Sequence, residues 1–308
     1  MSNISTSSVS DKIRSAFNFS VDKFPLSGPD GMSTPLYGLF RSDTSSLVGS
    51  RSVTSRYVPH TTDDVIALSE AADNAFDGDI DVRCHFRNGH YVDVKPNRED
   101  RLAVYGTQDN IWPRVMIRAG YDGESFRASL GYYRDACRNL AMMSQVSGTS
   151  VCIRHTSGLR GRMDELIATF NKLKDGWSNL TDVIQSMQTR EVNLNSFLEN
   201  LYADRLPSLE QFALHRSGQS VMKVTRFNDM ISSIKGRIVS ERRKTGRDPI
   251  NEQSPDCVIS SWEMYNGIQG YVQHDAQARK GFTGEFDRIL RAANDQTVRK
   301  AESLLLAA

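Results

Sequence analysis

Arginine is the residue type whose spacing in this chain points most directly to chemistry. From Arg114 to Arg162 there are eight arginines (114, 118, 127, 134, 138, 154, 160 and 162), opposed only by Asp122, Glu124 and Asp135. Arg127, Arg134 and Arg138 recur at steps of seven and four. Beside them Phe126, Leu130, Tyr133, Cys137 and Leu140 recur at steps of three and four. This spacing predicts an amphipathic helix over Glu124–Met143 with an apolar stripe and an arginine stripe. Guanidinium is planar, permanently charged and rich in donors, which suits phosphate or carboxylate. A second basic segment, Lys223 to Arg247, sets eight Lys or Arg against Asp229 and Glu241. Both segments read as surfaces for a phosphate backbone, although ordinary solvated helix faces would show the same composition. The candidate contacts are Arg118, Arg127, Arg134, Arg138, Arg154, Arg160, Arg162, Arg242, Arg243 and Lys244. Tyr132 is placed to lie under a base, and His155, within Arg154-His155-Thr156, to help hold an anion at the start of the next helix.

Other chemistries find less support. There is no G-x-x-x-x-G-K phosphate loop, no H-E-x-x-H pair and no nucleophile elbow. Cys84, His85 and His90 invite a test for zinc, but neighbouring strand residues point to opposite faces, so the group breaks up and no metal is expected. Asp122 and Glu124 are explained by a strand-to-helix turn with a capping acid. Trp262, Tyr265 and Ile268 fall at helical steps and read as core, with Asn266 as a buried polar clamp. No cofactor and no catalytic residue follow from these patterns.

With 308 residues, 39% hydrophobic and 24% charged, the chain has the composition of a globular protein able to bury a large core. A net charge of +1 means that polyanion binding must rest on local segregation of charge. Thr61 to Asp81 shows the opposite bias, with seven acids and no Lys or Arg. Four separated cysteines without a CxxC, no apolar leader in Met1–Lys12 and no membrane-length apolar run together predict a cytoplasmic protein of the bacterial cell that makes it.

The elements that must position these residues follow in chain order. Residues 1–34 read as a flexible arm with one short helix near Asp11–Phe19. Leu36–Arg41 and Leu47–Pro59 read as strands, and a helix is expected from Thr61 to Phe76. Asp81–Arg87 and His90–Pro96 flank Asn88-Gly89, which predicts a hairpin with a two-residue type I′ turn. Strands follow at Pro113–Ala119 and Ser150–His155. Beyond them the chain reads helical at Leu159–Trp177, Leu180–Thr189, Asn193–Ala203, Leu209–His215, Val221–Lys244, Val258–Arg279 and Thr283–Leu306, with Ser254-Pro255-Asp256 capping the last pair. The fold class is α+β. A mixed or antiparallel sheet domain with packed helices occupies 35–157, and a helical region packed on it occupies 158–308.

Four stretches carry a family resemblance. Leu39-Phe40-Arg41-Ser42-Asp43-Thr44 precedes Arg56-Tyr57-Val58-Pro59. Tyr121-Asp122-Gly123 leads to Arg134-Asp135-Ala136-Cys137-Arg138-Asn139. Ile153-Arg154-His155-Thr156 follows, and Trp262-Glu263-Met264-Tyr265-Asn266 continues to Tyr271-Val272-Gln273-His274. In order and spacing this resembles the phage/plasmid-like protein family, the domain-of-unknown-function family numbered 932, over roughly residues 36–300. The chain departs from the family pattern at Asp135-Ala136, where Val-Val is usual before the cysteine. The resemblance implies an origin in phages, plasmids and other mobile elements, and no activity. Joined to the basic segments, it leads to the expectation of a non-enzymatic single-stranded DNA-binding protein that anneals or protects strands in recombination or replication, working as a homo-oligomer. The rival expectations are a counter-defence protein that binds a host enzyme, a virion or assembly component, and a metal-dependent nuclease.

Overall fold

In the computed structural model the described residues are 8–49, 51–75, 81–95, 101–121, 125–134, 140–141, 143, 150–153, 161, 164–165, 167, 170–276, 288–289, 291–292 and 295–307. They form an α+β fold, with antiparallel sheets in the N-terminal half and helices toward the C-terminus. The chain divides into two compact units. The first comprises Met1–Arg101, Trp112–Gly131 and Ser147–Asn179, and the second Leu102–Ile111, Tyr132–Val146 and Leu180–Ala308.

In the first unit, α1 (Val9–Ala16) opens on a capping box formed by Ser8 and Asp11. A three-stranded antiparallel sheet follows, made of β1 (Val21–Ser27), β2 (Ser33–Arg41) and the short β3 (Val53–Thr54). The short helix expected near Asp11–Phe19 is present as α1, whereas β1 and the start of β2 occupy a stretch expected to be a loose arm. Pro25 hides the strand in the sequence; here it lies next to a register shift between Pro25 and Ser27. The expected Leu47–Pro59 strand shrinks to a bridge at Leu47 and two residues at Val53–Thr54. Val21, Leu39, Val48, Val53, Tyr57 and Tyr121 form one buried cluster. The acidic helix α2 (Thr62–Ala75) starts as its sequence predicts, with Thr61 Oγ1 accepting from the Asp64 N–H and Asp64 accepting from the Thr61 N–H.

The hairpin of β4 (Asp81–Phe86) and β5 (Gly89–Lys95) is present, but its turn is not type I′. That turn needs positive φ at both central residues, and neither Asn88 nor Gly89 has it. Phe86 pairs with His90, and Gly89 serves a different need: a Cβ there would fall on the Ala119 carbonyl oxygen of the next strand. That strand is β7 (Asn110–Gly120), preceded by the short β6 (Leu102–Ala103). β7 is followed by β8 (Phe126–Arg134), β9 (Leu140–Ala141) and β10 (Ser150–Ile153). In the first unit β5 pairs with β7, and β8 with β10. β6 with Asn110–Ile111, and Tyr132–Tyr133 with β9, pair within the second.

The largest correction is β8. The expected arginine helix over Glu124–Met143 is a strand at Phe126–Arg134 and again at Leu140–Ala141. Phe126, Ala128, Leu130, Tyr132 and Arg134 are buried while Arg127 is exposed, which is a period of two rather than 3.6.

Helices build the second unit. The single helix α3 (Phe170–Thr189) replaces the two expected over this stretch. Its residues from Leu180 onward belong to the second unit, and there it buries Leu180, Ile184 and Met187. Then come β11 (Glu191–Asn193), α4 (Leu194–Leu201), α5 (Leu209–Arg216), α6 (Met222–Lys244), β12 (Val258–Ser260), α7 (Ser261–Gly270) and α8 (Gln296–Ala307). The last helix pair does not start at Ser254-Pro255-Asp256. β12 intervenes, and Ser260 with Glu263 forms the capping box of α7. Every residue of α7 is buried. At Gly267 a Cβ would stand 2.5 Å from Ile238 Cγ1, so glycine permits the close approach of α6 and α7. Trp262, Tyr265 and Asn266 are core, as their spacing predicts. No helix among the described residues is long and apolar enough to cross a membrane.

Candidate functional site

The arginines expected to line one surface are sorted by the fold into different roles. Arg134 is 1% exposed, and its Nε donates to Asp109 Oδ2 at 2.7 Å while Nη1 donates to Glu241 Oε2 at 2.5 Å. A buried cation between two carboxylates holds its own unit together and is not offered to a ligand. Tyr132 is fully buried against Trp262, with its hydroxyl toward Asn266 Oδ1 at 3.4 Å, so it is no stacking platform. Arg242 turns inward, donating to Glu263 at 2.7 Å and to the Asp248 carbonyl at 2.9 Å. These three are corrected from surface contacts to internal structure. Arg243 and Lys244 are exposed at the end of α6.

Arg118 and Arg127 fall on one face of the sheet in the first unit. Arg118 pairs across from Tyr91, on the face opposite His90, with its guanidinium 5.7 Å from the Tyr91 ring centroid. Phe126 meets His60 on the His90 side, which places Arg127 on the Arg118 side. Arg118 is half-buried and Arg127 exposed, while Tyr91, Asp93, Arg114 and Met116 on that face are buried. Strand alternation likewise puts Cys84 with His90 and sets His85 on the other face. Arg138, Arg154, His155, Arg160 and Arg162 lie outside the described residues, as do Asp122 and Glu124.

A basic groove exists instead on the second unit, at the N-terminal end of α6. Asp204, Arg205, Met222, Lys223, Arg226, Phe227 and Met230 line a cavity of about 590 Å³. Helix geometry explains the arrangement. Lys223 and Arg226 are three residues apart and share one side, as do Phe227 and Met230. The short turn Ala203–Arg205 brings Arg205 to the same groove. Arg205, Lys223 and Arg226 are exposed, Met222 is 59% exposed, and Phe227 is half-buried with its ring edge-on to Phe212. The contacts of these cations are long: Arg205 lies 4.0 Å from Asp204, donates to Thr297 Oγ1 at 3.4 Å and stands 5.7 Å from the Tyr202 ring centroid, and Lys223 Nζ donates to the Leu206 carbonyl at 3.3 Å. The sequence signal is the Lys223–Arg247 run, in which the three-residue step at its start is less conspicuous than the adjacent cations at 242–244.

The first unit holds a second concavity, a cleft of about 700 Å³ with Arg14, Asp22, Lys23 and Asp63 at its mouth and His60, His90 and Tyr121 at its floor. His60 Nε2 and His90 Nδ1 are 2.7 Å apart, and the Tyr121 hydroxyl donates to the His60 carbonyl at 3.2 Å. Burial, helped by the positive charge of Arg41, pushes the His90 imidazole down to about 3, so it stays neutral. Arg41 in turn lies 3.8 Å over the Phe19 ring and donates twice to Asp43, at 2.9 and 2.6 Å. Both imidazoles are about 1% exposed, so this polar cluster braces the cleft from behind. Among the described residues no three His, Cys, Asp or Glu side chains converge as a metal site would require.

The family model described as "Domain of unknown function (DUF932)" matches residues 50–305. The chain belongs to that family. No curated protein matches it, and no solved structure matches it.

Proposed function

For a member of a family whose description assigns no activity, we propose single-stranded nucleic-acid binding, seated on the groove at the start of α6. The observation that carries the reading is the placement of Arg205, Lys223 and Arg226 around the apolar side chains of Met222 and Phe227. Cations that track a backbone beside apolar or aromatic surface for the bases give sequence-tolerant binding to single strands. One acid, Asp204, lines the groove, so its local charge is positive although the whole chain carries only +1. This reading keeps the expected ligand and moves the contacts away from Tyr132, Arg134 and Arg242. Annealing or protection of strands is the role such binding would serve in a mobile element.

Fluorescence anisotropy with a labelled oligonucleotide of about one binding site tests the proposal, since single-strand site sizes run to roughly 16 nucleotides. Lys223→Glu with Arg226→Glu should abolish binding without loss of fold, because both side chains are exposed. Binding unchanged in that variant, or absent in the wild-type protein at low salt, overturns the proposal.

A further inference from the structure

The cleft of the first unit has the size of a small-molecule site, about 700 Å³, within the roughly 300–1,000 Å³ typical of such pockets. Its floor holds a polar atom that the fold leaves unused. His90 Nδ1 meets His60 Nε2 at 2.7 Å and the Tyr121 hydroxyl at 3.3 Å. His90 Nε2, at the other side of the ring, is buried with no hydrogen-bond partner among the described residues. A buried polar atom left in that condition costs stability, and native folds seldom keep one without a use.

The rest of the lining indicates what could meet it. Phe17 stands edge-on to the His90 ring at 4.4 Å, and Phe19 lies parallel to that ring at 5.7 Å, so the inner wall is aromatic. The mouth carries two cations and two acids, and each is already engaged. Arg14 of α1 pairs with Asp63 of α2 at 2.7 Å, and Lys23 Nζ donates to the Ser55 and Tyr57 carbonyls at 2.8 Å each. Asp22 accepts from Ser20 Oγ at 3.0 Å. The mouth is neutral in sum, and the His90 imidazole behind it is neutral too. A charged ligand would give up its hydration there without gaining a counter-charge. A hydrocarbon would leave His90 Nε2 unmet. A flat, uncharged ring with a polar edge satisfies both demands. One proton lies between the facing nitrogens of His60 and His90. His90 Nε2 is therefore an N–H donor in one tautomer and a bare acceptor in the other. A heteroaromatic edge that sets donor and acceptor side by side can meet either.

We propose that this cleft binds a free nucleobase or nucleoside, which lies against the Phe17–Phe19 wall and hydrogen-bonds His90 Nε2 through the edge of its ring. Phe19 is half-buried, and a ring entering from the mouth displaces it to reach the imidazole. The site belongs to the first unit and uses none of the cations of the α6 groove, so it stands independently of the strand-binding reading.

Isothermal titration of the full chain with adenosine tests the proposal. One molecule should bind per chain, and AMP should bind no more tightly, because its phosphate finds no unengaged cation at the mouth. Asn18 lines the cleft and is exposed. Asn18→Trp should fill the entrance and raise the dissociation constant about tenfold or more, with unchanged circular dichroism. Nitrogen NMR of the protein carrying labelled histidine reads the contact itself: adenosine should shift the His90 Nε2 resonance in the wild-type protein and not in Asn18→Trp. Adenosine that does not bind, AMP that binds more tightly, wild-type affinity in Asn18→Trp, or an unmoved His90 resonance overturns the proposal. Displacement of adenosine by a short oligonucleotide overturns it as well, by assigning the cleft to a base of a strand.

Discussion

Arg134 shows how a single side chain can look like a ligand contact and act as a structural tie. Its guanidinium joins Asp109 and Glu241, which are distant in sequence, inside a site that excludes water. Removing it takes away the cation to which both buried carboxylates bond. Arg134→Ala should therefore destabilise the protein by about 3–5 kcal/mol, read as a lower urea midpoint, whereas Arg127→Ala on the exposed strand face should cost within about 0.5 kcal/mol. His90 makes a second prediction at this scale. Its ordinary value is 6.5 and its folded value about 3, so the unfolded chain binds the extra proton between those limits. This contribution to stability is fully present above pH 6.5 and is lost as pH falls toward 3, at up to about 1.4 kcal/mol per pH unit. Urea midpoints measured at pH 7.5 and 5.0 should fall with acid, and His90→Gln should flatten that fall. An equal slope in both proteins would show that the imidazole is not held neutral.

Among the elements, legibility depended on whether local and tertiary forces agreed. The start of α2 is legible in the sequence to within a residue because its cap is local: Thr61 and Asp64 bond each other's backbone. α6 is legible in the sequence because Val224, Met230, Ile234 and Ile238 form one buried stripe. β8 is ambiguous in the sequence because its residues satisfy two periods at once. Phe126 and Leu130 fit both a helical stripe and strand alternation, and sheet pairing decides between them. The β-favouring Tyr132-Tyr133 pair is the local signal for the strand. The same shift of period turns Arg134 inward, in phase with the apolar set, so the type of element decides the role of the side chain. The groove at α6 was invisible in a different way, since Arg205 reaches it from a turn that no periodicity encodes. At Gly267 the demand is spatial. Gly267→Ala should cost about 1–3 kcal/mol by forcing Ile238 aside, and Ile238→Ala in the same chain should recover part of that loss in a double-mutant cycle. Additive costs would mean that α6 and α7 do not meet through this pair.

Across the whole molecule, a net charge of +1 conceals strong sorting. Acids gather on α2, several arginines are spent on internal carboxylates, and exposed cations remain around the groove of the second unit. On the proposed function, affinity for a polyanion rests on a few side chains rather than on a general field, and its salt dependence counts them. The most direct test is the slope of log K against log salt for a short single strand. Three phosphate contacts predict a slope near −2, at roughly −0.7 per contact, and Arg226→Ala should make it shallower by about 0.7. A slope unchanged by that substitution, or binding insensitive to salt, would contradict the assignment of the groove to a phosphate backbone.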